Sequence, residues 1–136
     1  MSGNGPALVT GEAPAAGAAP APGAPGQAVL SRHLARPGRH VLVATDLAGL
    51  RGPAGGTVEL PVRLFWHPNR TFDLDEPGVR RWVYQIVLRE ATRPEDLTTY
   101  LNGGVLVRLW PDLRLPKGVR RAWEERHPSL AADLAA

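Results

Sequence analysis

From Thr57 to Trp66, apolar and other positions alternate. Val58, Leu60, Val62, Leu64 and Trp66 fall on one side, and Thr57, Glu59, Pro61, Arg63 and Phe65 on the other. A period of two predicts a half-buried strand. Pro61 has no N–H to give to a ladder, which places that strand at an edge or a bulge. His67-Pro68-Asn69-Arg70 reads as a turn, and Thr71 to Leu74 as the second arm of a hairpin. Upstream, His40 to Thr45 reads as a short strand, and Val29 to Leu34 as a short helical turn or lead-in. The Gly- and Pro-rich stretch between them and the hairpin, Asp46 to Gly56, reads as a loop.

Downstream the period changes. Val79, Trp82, Val83, Ile86 and Val87 recur at helical spacing after Pro77, with Asp75 or Glu76 as N-cap, so a helix is expected to about Ala91. Its wet side takes Arg80, Arg81, Arg89 and Glu90. Thr92 and Glu95 fit a capping box for a second helix that turns Leu97, Tyr100 and Leu101 inward. Asn102-Gly103-Gly104 reads as its C-terminal stop. Val105 to Trp110 is apolar enough to be buried all round, as a helix or a strand, and Pro111 ends it. Lys117 to Arg126, after Pro116 and before Pro128, is expected to be an amphipathic helix with Val119, Ala122 and Trp123 on its apolar face. Residues 129–136 are expected to fray.

Strands first and helices afterwards predict an α+β domain over residues 29–136: a small antiparallel sheet of about three strands, then three or four short helices. Residues 1–28 are Ala-, Gly- and Pro-rich, with Leu8 and Val9 their only branched aliphatic side chains. Such a segment buries too little apolar surface to offset the entropy of ordering, so it is expected to be a disordered, extended tail. It has no basic stretch followed by a Leu/Val-rich run, as a signal peptide requires. With no Cys in the chain, disulfides, thiol nucleophiles and Cys-based zinc sites are excluded, and a cytoplasmic location is the expectation. Lys117 is the only Lys among the cations; the excess of Arg goes with abundant Ala, Gly and Pro, all encoded by GC-rich codons.

Few residues carry candidate chemistry. Residues 95–110 have the layout of a helix-turn-helix, but only Arg108 is available to contact a base or phosphate, so a buried helical hairpin fits better. Arg114, Lys117, Arg120, Arg121 and Arg126, with Trp110 and Trp123 interleaved, have the composition of a single-strand nucleic-acid surface. Against this, Trp123 sits on an apolar face and Asp112, Glu124 and Glu125 dilute the charge, as on an ordinary wet helix face. Asp73, Asp75 and Glu76 suit Mg²⁺ or acid–base chemistry, and equally suit the start of a helix, where acids favour the macrodipole. His33, His40, His67 and His127 show no zinc spacing, Ser occurs in no nucleophile-elbow context, and no Gly-rich stretch forms a phosphate loop. No metal and no cofactor is therefore expected.

An edge strand beside a turn bearing Trp66, His67 and Asn69 offers a surface to a partner. Phe65, on the strand face away from Leu60, is expected to be exposed unless the first strand or the tail covers it. The function expected is that of a small non-enzymatic interaction or regulatory protein, binding another protein as an antitoxin or accessory subunit does, with no membrane contact. Phe65, Trp66, His67 and Asn69 are its expected contacts. The alternatives are nucleic-acid binding through the C-terminal basic helix and, third, hydrolysis at the acids of 73–76.

Overall fold

The computed structural model describes residues 27–135, with side chains to residue 131. The tail expected to be disordered lies outside the described residues, apart from its last two. Ala28, the second of these, opens strand β1 (Ala28–Arg36), which pairs antiparallel with β2 (Arg39–Ala44). This corrects the helical turn expected at Val29 to Leu34. The missed signal is Pro37-Gly38. Pro presets φ at the first corner of a tight turn, and Gly38 takes φ +80° at the second, a conformation that side-chain-bearing residues avoid. Val41, Leu42, Val43 and Ala44 of β2 are all buried.

The second correction concerns the long alternating segment. β3 spans only Thr57–Glu59, and β4 (Thr71–Asp73) pairs with it antiparallel, with Val58 opposite Phe72. Pro61 ends the strand. Its carbonyl accepts from the amides of Leu64 at 3.0 Å and Phe65 at 3.2 Å, so the chain winds into a turn. Leu60 and Leu64 both reach the core, four residues apart, whereas Val62 and Trp66 point out. Among the described residues the β structure is thus two separate two-stranded antiparallel sheets, in place of one sheet of about three strands.

Five helices follow, and the molecule is α+β, with α1 (Pro77–Glu90), α2 (Pro94–Tyr100), α3 (Gly103–Leu109), α4 (Lys117–Arg126) and α5 (Pro128–Ala135). α1 buries Val83, Tyr84, Ile86, Val87 and Leu88 and leaves Trp82, expected inward, at the rim. Pro94 opens α2, which makes Asp96, not Glu95, the residue that folds back on the helix start. Its carboxylate accepts from the amides of Thr92 at 3.0 Å and Arg93 at 3.1 Å. Asn102 begins a helix where a stop was expected: its Oδ1 accepts from the Val105 amide at 3.1 Å and caps α3. Residues 105–109 are therefore helical. α4 starts after Pro116 and buries Val119, Ala122 and Trp123 as expected. Residues 128–135 form α5, with Leu130 in the core, where fraying was expected.

One apolar cluster joins these elements, from Val41 and Val43 through Leu60, Leu74 and Ile86 to Trp110, Trp123 and Leu130. α4 closes directly on β1. At Gly118 a Cβ would land on the Leu34 carbonyl, so only glycine lets the helix approach this strand. Arg32 at 3.0 Å and His33 at 3.3 Å from Glu125, and His127 donating Nε2–H to the Ala44 carbonyl at 2.6 Å, fasten the same contact. Among the described residues no helix is long and apolar enough to cross a membrane.

Candidate partner-binding site

The loop between β3 and β4 carries the aromatic residues singled out from sequence, and its backbone is braced from within. The Arg70 guanidinium donates to the Leu60 carbonyl at 2.9 Å and to the His67 carbonyl at 2.9 Å. The His67 ring nitrogen Nδ1 accepts from the Asn69 amide at 3.0 Å, and Asn69 Oδ1 accepts from the Thr71 amide at 3.4 Å. His67 and Asn69 thus shape the turn. Arg63 ties its other end to the helices through a two-pronged pair with Asp96, at 2.7 and 3.0 Å. Asp96 is only 1 % exposed. Burial alone would raise its pKa, but Arg63 and the two amides outweigh that and hold the carboxyl below its ordinary value.

On this frame Trp66 is 84 % exposed. It lines a shallow groove with Val62, His67, Pro68 and Arg70. Phe65, expected to be exposed unless another segment covered it, has turned the other way and is half-buried against Phe72 and Trp82. Its ring lies 5.7 Å from Phe72 and 5.1 Å from Trp82, edge to face in both cases, and stacks on His67 at 5.7 Å. Phe72 and Trp82 close the triangle at 5.2 Å. Trp82 is 42 % exposed, so the aromatic surface runs without a break from the loop onto α1. Edge-to-face pairs of this kind contribute about 0.5–1.5 kcal/mol each beyond their burial.

Val62, Phe72, Trp82 and Arg70 belong to this surface and were missed in the sequence. Trp82 had no local signal of its own, because its place follows from how much of α1 is buried. The apolar positions of α1 from Val83 to Leu88 cover well over half of the helix, so residues before them fall at the rim.

The basic C-terminal residues are dispersed. Arg120 belongs to the scaffold: its guanidinium lies over the Trp110 ring at 5.1 Å, pairs with Glu124 at 3.5 Å and donates to the Leu113 carbonyl. Trp110 and Trp123 are fully buried, so neither ring can stack on a base. Arg121 shares its surface with Glu124 and Glu125, and Arg126 lies beside Glu125. Arg114 and Lys117 are exposed, and the Arg114 amide is held by Gln85 Oε1 at 2.8 Å.

The acids at 73–76 serve the backbone. Asp73 Oδ1 accepts from the Asp75 amide at 2.9 Å and Asp75 Oδ1 from the Gly56 amide at 3.1 Å. Glu76 stands at the N-cap of α1 without a side-chain bond, so the capping expected of Asp75 or Glu76 is not made by either carboxylate. Among the described residues no group of three or more His, Asp or Glu side chains is arranged to hold a metal ion. Compared with known proteins, the chain matches no protein-family model, no curated protein and no solved structure.

Proposed function

We propose that this is a non-enzymatic binding protein, which presents the β3–β4 loop to another protein in the manner of an antitoxin or an accessory subunit. The observation that carries the reading is the exposure of Trp66 at 84 % on a loop whose shape is fixed by its own hydrogen bonds. A large amphipathic ring on a preorganised support loses little entropy on docking, which is why Trp recurs at the energetic centres of protein interfaces. Val62 and Trp82 widen the apolar target beyond one residue.

The test is affinity capture of the full chain from its native host, with Trp66→Ala run in parallel. A stoichiometric protein retained by the native chain and released by the variant is the expected result. A native chain that recovers no protein, and runs as a monomer by light scattering, overturns the reading.

A further inference from the structure

The exposed surface continues past the aromatic cluster along α1. Helical periodicity sets Arg89 on the same side as Trp82, two turns and about 10 Å further on. Arg89 belongs to a cluster in which one carboxylate meets three guanidiniums. Glu90 lies 2.8 Å from Arg36, 3.1 Å from Arg89 and 3.9 Å from Arg39. Three positive charges against one negative leave an excess of two. Arg36 is about half exposed, so the excess faces solvent. Arg81 and Arg114 lie next to the same stripe, Arg114 through the bond of its amide to Gln85, and neither pairs with a carboxylate among the described residues. The opposite end of α1 carries Asp73, Asp75 and Glu76. The stripe is therefore graded: three carboxylates precede α1, Arg81 stands beside the aromatic rings, and the three guanidiniums around Glu90 gather at its end.

We infer that this stripe docks an acidic segment of the partner protein, which sets a bulky apolar side chain against Trp82 and Phe65 and its carboxylates against Arg89 and Arg36. The inference rests on the protein-binding reading and specifies the chemistry of the partner. Charge complementarity selects the occupant. A nucleic-acid strand carries a negative charge at every nucleotide, so one laid along α1 meets the acids at the helix start as well as the arginines at its end. A peptide places its charges at one end only. Guanidinium also suits carboxylate, which it grips with two parallel hydrogen bonds.

Fluorescence anisotropy on the full chain tests this with three labelled probes. One is a peptide with Leu at helical spacing and Glu residues at one end only, the second the same peptide with Lys for every Glu, and the third an oligothymidine strand of equal length. The expected result is saturable binding of the acidic peptide alone, weakening as salt is raised. Arg36→Gln combined with Arg89→Gln is expected to weaken it about tenfold, and Trp82→Leu by a similar factor. Arg36→Gln alone changes an exposed side chain and keeps the test valid if Trp82→Leu fails to fold. The inference is overturned by tighter binding of the oligothymidine, by no saturation with the acidic peptide below about 1 mM, or by affinity unchanged in the arginine variants. Failure here is distinct from failure of the broader reading. A host protein lost on Trp66→Ala yet retained by the double arginine variant removes the acidic segment and leaves protein binding in place. Peptide binding with no host protein captured does the reverse.

Discussion

Four tryptophans divide the molecule into two kinds of surface. Trp110 and Trp123, in the C-terminal helices, are fully buried, and Trp110 gives its indole N–H to Glu124 at 2.9 Å. Trp66 and Trp82, around the β3–β4 loop, stand in solvent or at its edge. The side chain is the same, so the difference lies in what surrounds it. Trp123 follows Val119 by one helical turn and faces the core from an amphipathic helix. Trp66 follows a proline turn that has already delivered Leu60 and Leu64 to the core. Two indoles thus stabilise the helical core, and two are left at the surface around the loop.

The largest effect should come from breaking the buried side. Trp123→Ala removes a ring packed on all sides and should cost about 3–5 kcal/mol in urea denaturation. The Arg63–Asp96 pair, which holds the loop to the helices, comes next. Asp96→Ala leaves the Thr92 and Arg93 amides without their acceptor, and a loss of about 2–4 kcal/mol is expected from the same measurement. A methyl group at Gly118 pushes α4 off β1, so Gly118→Ala should lower stability by about 1–3 kcal/mol.

Acid should act through His127. Burial holds its pKa below the ordinary histidine value, against the opposing pull of the Ala44 carbonyl. The unfolded chain therefore takes up the proton first as pH falls. The stabilisation is fully present above the unfolded pKa of about 6.5 and is lost as pH drops below it towards the folded value. Urea midpoints at about pH 7.5 and pH 5.5 should differ in that direction, and His127→Gln should reduce the difference. The smallest change in stability is expected for Trp66→Ala, within about 0.5 kcal/mol of the native chain. That variant sharpens the comparison most, because it should abolish partner capture while leaving the unfolding curve in place.

The parts of the fold legible in the sequence were those where one signal acted alone. Pro77 and Pro116 set the starts of α1 and α4, and the Val119, Ala122 and Trp123 spacing identified a core face that the structure shares. The misread parts carried two signals at once. Leu60 and Leu64 satisfy an alternating strand and also a turn that returns every fourth residue to the core, and Pro61 decides for the turn. Asn102 with two following glycines can stop one helix or cap the next, and the free Val105 amide decides for the cap. In the site, Trp66 was named as a contact from its place at the turn and stands in solvent, whereas Phe65, placed outside by the strand assumption, packs on Phe72 and Trp82. Trp82 needed the extent of α1 burial, which depends on β4 and α2 packing against it and has no local signature.

The contact between α4 and β1 has a consequence for the order of assembly. Arg32 and Glu125 lie 93 residues apart in the chain, and Ala44 and His127 lie 83 apart. The hairpin is the first described element to leave a ribosome, yet the helix that closes on β1 is among the last. Closing a loop of that length is entropically slow. α1 and α2 can reach β2 earlier, but until Gly118 arrives over the Leu34 carbonyl the nascent chain leaves Val43 without the cover of Ala122, open to whatever it meets.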